Sequence, residues 1–255
     1  MDSKLKFLDD DERVMKLWTP FQVRVGPDFE FVKKNVLFRG ASWLIRHVAA
    51  AILFPALRFL FGVQVRGREQ LREIQGRGYI SVCNHVHPLD CVMVALALGN
   101  CGLYYPTLTE NLEVPLVRWL VRILGGVPIP KSAHAYPAFS QAMADVLARG
   151  SCIHFFSEGV LLPYSDGVRP LRRGAFQLAC WTKTPVVPLV ISYRPLQGFR
   201  RLIRRKPLID VTILPPLMPD CRAHIHADSV RLCRECGESM REAYAQARSH
   251  YENTL

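Results

Sequence analysis

Apolar residues follow three different patterns along the chain. Residues 1 to 35 mix polar and apolar positions without a period, which predicts a loosely packed lead-in. From Val36 to Gly62 the sequence turns strongly apolar, "VLFRGASWLIRHVAAAILFPALRFLFG". Within it Arg39, Ser42 and Arg46 fall at i, i+3 and i+7, a polar stripe along one side of a helix. Pro55 predicts a break or kink, followed by a second short apolar piece carrying Arg58. The stretch between the two arginines is shorter than the about 20 residues a spanning helix needs. Two short helices lying in a membrane interface fit this pattern, with Arg and Trp43 near headgroup level. A single span with snorkelling arginines, or a helix packed on the domain, are the alternatives.

The third pattern is β–α alternation from Gly67 onward. Strands are predicted at 78–84, at "GLYYPT", at 125–130 (a short strand or turn), and at 151–156, 185–193 and 208–214. Helices are predicted at 88–98, 114–124, 137–148, 173–183 and 229–251. No period repeats and no long linker separates two cores. The expected architecture is α/β: a single mixed-sheet domain flanked by helices, spanning 63–255, behind a two-helix membrane-interface element at 36–62.

Candidate chemistry begins with "NHVHPLD", residues 84 to 90. The predicted strand delivers His85 to the carboxyl edge of the sheet, where open α/β proteins place their ligands. Asp90 falls in the first turn of the next helix, and the loop can fold its carboxylate back to the imidazole. A carboxylate on one ring nitrogen fixes the tautomer and leaves the other nitrogen free to take a proton. The segment alone reads equally well as a helix start in which Asp90 satisfies backbone N–H groups. His87, just before Pro88, reads as a capping residue.

A second cluster, "FFSEGVLLPYSDG", places Ser157, Glu158 and Gly159 in a turn at the same sheet edge. A third, "GGVPIPKS", resembles a phosphate loop but has Pro130, which lacks an N–H, directly before Lys131. Lys131 is still a candidate cation for an anionic substrate group. In "PVVPLV", Pro185 and Pro188 bracket a buried strand.

Taken in order, Asn84-His85-x4-Asp90, Gly125-Gly126-x-Pro128-Ile129, Phe156-Ser157-Glu158-Gly159 and Pro185-Val186-Val187-Pro188 resemble the four blocks of the PlsC-type glycerolipid acyltransferases. The best-known members of that family are the 1-acylglycerol-3-phosphate acyltransferases. The resemblance covers roughly residues 65 to 215. It implies that His85 is the general base that deprotonates an acceptor hydroxyl and that Asp90 orients it. The hydroxyl would attack an acyl thioester, on coenzyme A or acyl-carrier protein, without an acyl-enzyme and without a bound metal or cofactor. Glu158 and Gly159 match the block linked to the acceptor, and Lys131 stands where the family usually has Arg. Asn84, Gly125, Gly126 and Pro188 match supporting positions. After Glu158-Gly159 the family commonly has Thr-Arg, and this chain has Val160-Leu161. Arg169, Arg172 and Arg173 are the candidates to supply the missing cation. These departures bear on the acceptor more than on the reaction.

Charge and cysteines extend this picture. Lys and Arg number 33 against 22 Asp and Glu, a net charge of +11, which calls for an anionic partner. With the lipid-directed motifs, that partner is expected to be an anionic membrane surface. The run "GFRRLIRRKP" at 198–207 would also suit a nucleic-acid module, but the full His-x4-Asp set argues against one. A hydrolase using Ser or Cys with His85 lacks a G-x-S-x-G, and Cys83 reads as core. The start of the chain is charged and does not open a secretory signal, so the eight cysteines are expected to be reduced and the protein monotopic on the cytoplasmic face of a membrane. Cys233 and Cys236 form a C-x-x-C that falls within a predicted helix and read as helix cysteines rather than a metal site.

Overall fold

Period-two alternation in the strands separates two apolar layers, one on each face of a single sheet. In β6 (Val186–Arg194), Val186 and Val190 join one core, while Val187, Leu189 and Ile191 join the other. β2 (Tyr79–Cys83) divides in the same way, with Ile80 and Val82 on the first side and Cys83 on the second. The first layer is closed by α4 (Tyr136–Ala148), α5 (Gly174–Thr182) and the long α6 (Ile225–Glu252). The second is closed by α1 (Val36–Leu60) and α2 (Asp90–Leu98). The computed structural model describes residues 23–99, 102–196 and 206–252. Most of the lead-in and most of the basic run at 198–207 therefore lie outside the described residues.

The main sheet has the order β1–β7–β6–β2–β5, with β1 (Gln64–Arg66), β7 (Leu208–Ile213) and β5 (Cys152–Phe155) completing it. β2 pairs in parallel with both β5 and β6, and β7 runs antiparallel to β6, so the sheet is mixed. A second, two-stranded parallel sheet of β3 (Tyr105–Thr107) and β4 (Gly126–Pro128) continues it through a parallel bridge between Tyr104 and Ile153. Between these two strands lies α3 (Pro115–Ile123). The expected single mixed-sheet α/β domain flanked by helices is observed.

Four details differ from the sequence reading. Residues 36–60 form one helix of 25 residues, with Pro55 inside it, instead of two. Proline forfeits one hydrogen bond but keeps a helical φ. Here the chain on both sides of it is held, by Ala50 and Phe54 before and Leu57 after, against the domain. Two of the three stripe residues, Ser42 and Arg46, also face inward, while Arg39 is exposed. Ser42 Oγ donates to the Ile123 carbonyl (2.6 Å), and Arg46 donates to Ile123 (2.7 Å) and Leu103 (3.2 Å). These side chains satisfy the open Ile123 carbonyl at the end of α3 and the Leu103 carbonyl ahead of β3. Finally, Pro188 lies within β6, opposite Val82, and does not flank the strand. β1 was not anticipated, because three residues carry no measurable period.

Candidate active site

The site is assembled where β2 and β5, parallel neighbours, deliver their carboxyl ends to one edge. Asn84 fixes the first of these ends. Its amide donates to the Ile191 carbonyl (2.9 Å) and accepts from the Ile191 N–H (2.8 Å), locking the exit of β2 to β6. The next residue, His85, places Nδ1 2.9 Å from Asp90 Oδ2. The same carboxylate oxygen accepts from the main-chain N–H groups of Val86 (2.7 Å) and His87 (2.8 Å). Both readings of Asp90 therefore hold at once, since one oxygen caps the turn and holds the imidazole. Three donors on one oxygen are the surroundings of a carboxylate, which only accepts, so the ring proton of His85 sits on Nδ1. Nε2 is then the basic nitrogen.

Asp90 is fully buried, whereas the His85 side chain keeps 22 % of its exposure. Phe156 stacks on the imidazole, with centroids 4.0 Å apart and planes 15° from parallel. His87 accepts from the Leu89 N–H through Nδ1 (3.1 Å), the capping role expected of it, and its partial burial lowers its pKa.

Glu158 closes the cluster from β5. Its Oε2 accepts the His85 main-chain N–H (3.1 Å), so the two motifs are joined directly. Arg169 returns to it twice, through the main-chain N–H to Oε1 (2.9 Å) and the guanidinium to Oε2 (3.0 and 2.5 Å). The same guanidinium donates to the Val160 carbonyl. The Glu158 side chain is fully buried and its charge is matched by Arg169. Burial without such a partner would cost several kcal/mol, on the order of 3–5. Gly159 has φ +79°, and a Cβ there would overlap the Arg172 guanidinium. Glycine at this position thus lets a second arginine close on the turn.

The other predicted residues lie elsewhere. Lys131 ion-pairs with Glu110 (2.5 Å) on the turn after β3, and its side chain is 70 % exposed. Arg173 caps α5. Gly125 has φ +97°, and a Cβ would strike the Leu103 carbonyl and the Arg46 guanidinium. At Gly126 a Cβ would strike Val121. These two glycines seat α1 and α3 against the small sheet. Cys83 is buried in the core, with its thiol pKa pushed well up by burial, so it offers no thiolate beside His85. Cys236 packs in the core against Met240, and Cys233 donates to the Leu171 carbonyl.

Sequence reasoning missed His154. It is fully buried, its Nδ1 lies 2.8 Å from Ser81 Oγ, and Nε2 has no partner. Its ring meets Phe156 edge-on at 4.5 Å. Burial, with a smaller contribution from His85, lowers its pKa to about 3. The available signal was its position two residues before Phe156, which puts both on one side of the strand.

Comparison with known proteins agrees with this geometry. The model of the family called Acyltransferase matches residues 62–192, just over half of the chain, and includes every residue of the His85–Glu158 cluster. The chain belongs to the Acyltransferase family. Among curated relatives, the 1-acyl-sn-glycerol-3-phosphate acyltransferase of Saccharomyces cerevisiae is 26% identical over 160 residues, covering 60% of this chain and 51% of that protein. The human 1-acyl-sn-glycerol-3-phosphate acyltransferase alpha is 25% identical over 167 residues, covering 63% of this chain and 57% of that one. The match thus spans little more than half the length of either relative. The crystal structure of the 1-acyl-sn-glycerophosphate (LPA) acyltransferase PlsC from Thermotoga maritima superposes with a TM-score of 0.53 at 20% identity. It covers 84% of this chain and 96% of that one, and the two share the fold.

Proposed function

We propose that this acyltransferase moves a fatty acyl chain from a thioester, on coenzyme A or acyl-carrier protein, to the hydroxyl of a lysophospholipid. The acceptor is 1-acylglycerol-3-phosphate and the product phosphatidate. The observation that carries the reading is the 2.9 Å contact between His85 Nδ1 and the buried Asp90 carboxylate. With Nδ1 protonated, His85 Nε2 takes the proton of the acceptor hydroxyl as its oxygen attacks the thioester carbonyl. The C–O bond forms and the C–S bond breaks. The imidazolium, stabilised by Asp90, returns the proton to the departing thiolate, so no acyl-enzyme is needed. The similarity to 1-acyl-sn-glycerol-3-phosphate acyltransferases supports this acceptor.

Glu158 and Arg169 neutralise each other, which lets a phosphate approach an edge that holds a carboxylate. Arg172, closed over Gly159, takes the place of the cation that the Val160-Leu161 departure removes. Lys131 is held by Glu110 and would have to leave it to reach a substrate. That pairing favours a second reading, in which the acceptor is a lysolipid without a phosphomonoester.

Helix α1 supports a membrane-bound protein of the monotopic kind. It is long and apolar enough to cross a bilayer. Yet both its halves are fastened to the same domain, by Ser42 and Arg46 in the first and Leu57 in the second. Lipid cannot surround a helix held in that way, so α1 lies along the interface with its outward residues immersed. Its end brings Phe61 against His87, at 5.1 Å, beside the site.

Incubation with labelled acyl thioester and a panel of lysolipids tests the assignment. Phosphatidate formed from lysophosphatidate is the expected product. Equal acylation of a lysolipid lacking the phosphomonoester would remove the phosphatidate assignment, and hydrolysis without transfer would remove the transferase mechanism.

A further inference from the structure

A second cationic cavity lies on the opposite edge of the sheet. It has a volume of about 560 Å³ and is walled by the first turns of α1, the end of α3 and the entries to β3, β4 and β5. Gly102, Gly125 and Ser151, which line it, each precede their strand, whereas His85 and Glu158 each follow theirs. Because these strands run parallel, the cavity and the acyl-transfer site occupy opposite ends of the domain.

Its chemistry is that of an anion site. Lys33, Arg39, Arg46 and Arg122 line it, and none of the described lining residues is Asp or Glu. Arg122 donates to the main-chain carbonyls of Phe31, Glu30 and Gly126, and Arg46 to those of Ile123 and Leu103. For Arg122 these carbonyl partners satisfy the N–H groups without cancelling the charge. The nearby carboxylate, Glu30, is engaged by Lys33 (2.6 Å) and the Lys34 N–H, so Lys33 is itself paired and Arg39 and Arg122 supply the cavity's positive charge. Burial lowers the pKa of Arg122, against a smaller rise from the Glu30 carboxylate.

The surroundings decide which anion. Trp43, on the cavity rim, is 62 % exposed, and Leu37 and Leu44 project beside it from α1. Leu116, Trp119 and Leu120 of α3 form a second exposed apolar face on the helix whose end α1 caps. A basic recess flanked by exposed Trp and Leu suits a headgroup whose acyl chains continue into a bilayer. We propose that this cavity binds the phosphate of an anionic membrane lipid that is not the acyl acceptor, docking the α1–α3 face on the membrane. The proposal rests on the interfacial reading of α1.

Co-sedimentation of the full chain with vesicles tests it, using phosphatidylcholine alone or mixed with phosphatidylglycerol. Wild type should prefer the mixed vesicles. Arg39→Glu, at an exposed cavity residue, should cut that preference by at least about fivefold while leaving binding to phosphatidylcholine and thermal stability unchanged. Arg39→Gln should fall between the two. Arg234→Glu makes the same change in net charge on exposed α6 and should keep the preference. If Arg234→Glu matched Arg39→Glu, or Arg39→Glu had no effect, the cavity would not be the headgroup site, although α1 could still be interfacial. Wild type that sedimented with neither vesicle would refute the interfacial reading and the proposal with it. Loss of the preference in inorganic phosphate, but not in chloride of matched ionic strength, would assign the cavity to free phosphate and overturn the lipid.

Discussion

Helices α1 and α2 cover the same face of the sheet but use polarity in opposite ways. In α2 the buried side is apolar except at its first turn, where Asp90 is sealed in and accepts three hydrogen bonds through one oxygen. In α1 the docked side carries Ser42 and Arg46, while Leu37, Leu44, Ile52 and Phe59 face outward. An isolated polar group is buried where its position must be exact to a few tenths of an ångström, as the proposed chemistry at His85 requires. Polar residues turned inward along a helix, with apolar ones outside, indicate that the surroundings of that helix are not water. Under the proposed function α2 serves the reaction and α1 meets the medium, and each can be broken separately.

The largest effect is expected at the end of β2. His85→Ala should lower acyl transfer by about a hundred- to ten-thousand-fold with melting temperature unchanged, measured by turnover on acyl thioester and lysophosphatidate. Near-normal turnover in that variant would remove the proposed base. Asp90→Ala should lose activity and also stability, about 2–4 kcal/mol by denaturant unfolding, because it leaves the Val86 and His87 N–H groups buried without an acceptor. A variant that lost activity alone would show the cap to be dispensable.

On α1 the two sides should separate by assay. Ile52→Asp, on the outward side, should weaken vesicle binding severalfold and leave thermal stability in solution unaltered. Arg46→Ala removes donors to the Ile123 and Leu103 carbonyls and should destabilise the domain by about 1–3 kcal/mol. The reverse outcome would mean that α1 presents its other face to lipid.

The smallest effect lies beneath the site. His154 has a pKa of about 3 when folded against the ordinary 6.5 when unfolded, so below about 6.5 the unfolded chain takes the proton first. Its contribution to stability is complete above that pH and is lost as pH falls toward 3. Wild type should lose stability between pH 6 and 5 more steeply than His154→Leu, by about 1 kcal/mol per pH unit. Parallel curves would show that His154 does not stay neutral in the folded protein.

The sequence by itself determined the period-two strands, the mixed α/β class and the His85–Asp90 and Glu158–Gly159 blocks. These depend on local spacing: five residues across one turn bring an imidazole and a carboxylate together, and alternation chooses a strand's faces. Only the tertiary structure decided the rest, because it depends on groups far apart in the chain. Glu158 reaches the His85 N–H across 73 positions, and Arg46 reaches Ile123 across 77. Arg169, read as a phosphate cation, proved to be the counter-ion that keeps Glu158 buried, while Lys131 was taken by Glu110. The polar stripe of α1 was plain in the sequence, but its direction was not. A helix carries the same stripe whether it faces water, lipid or protein, and the open carbonyls at the end of α3 fixed which side turned inward.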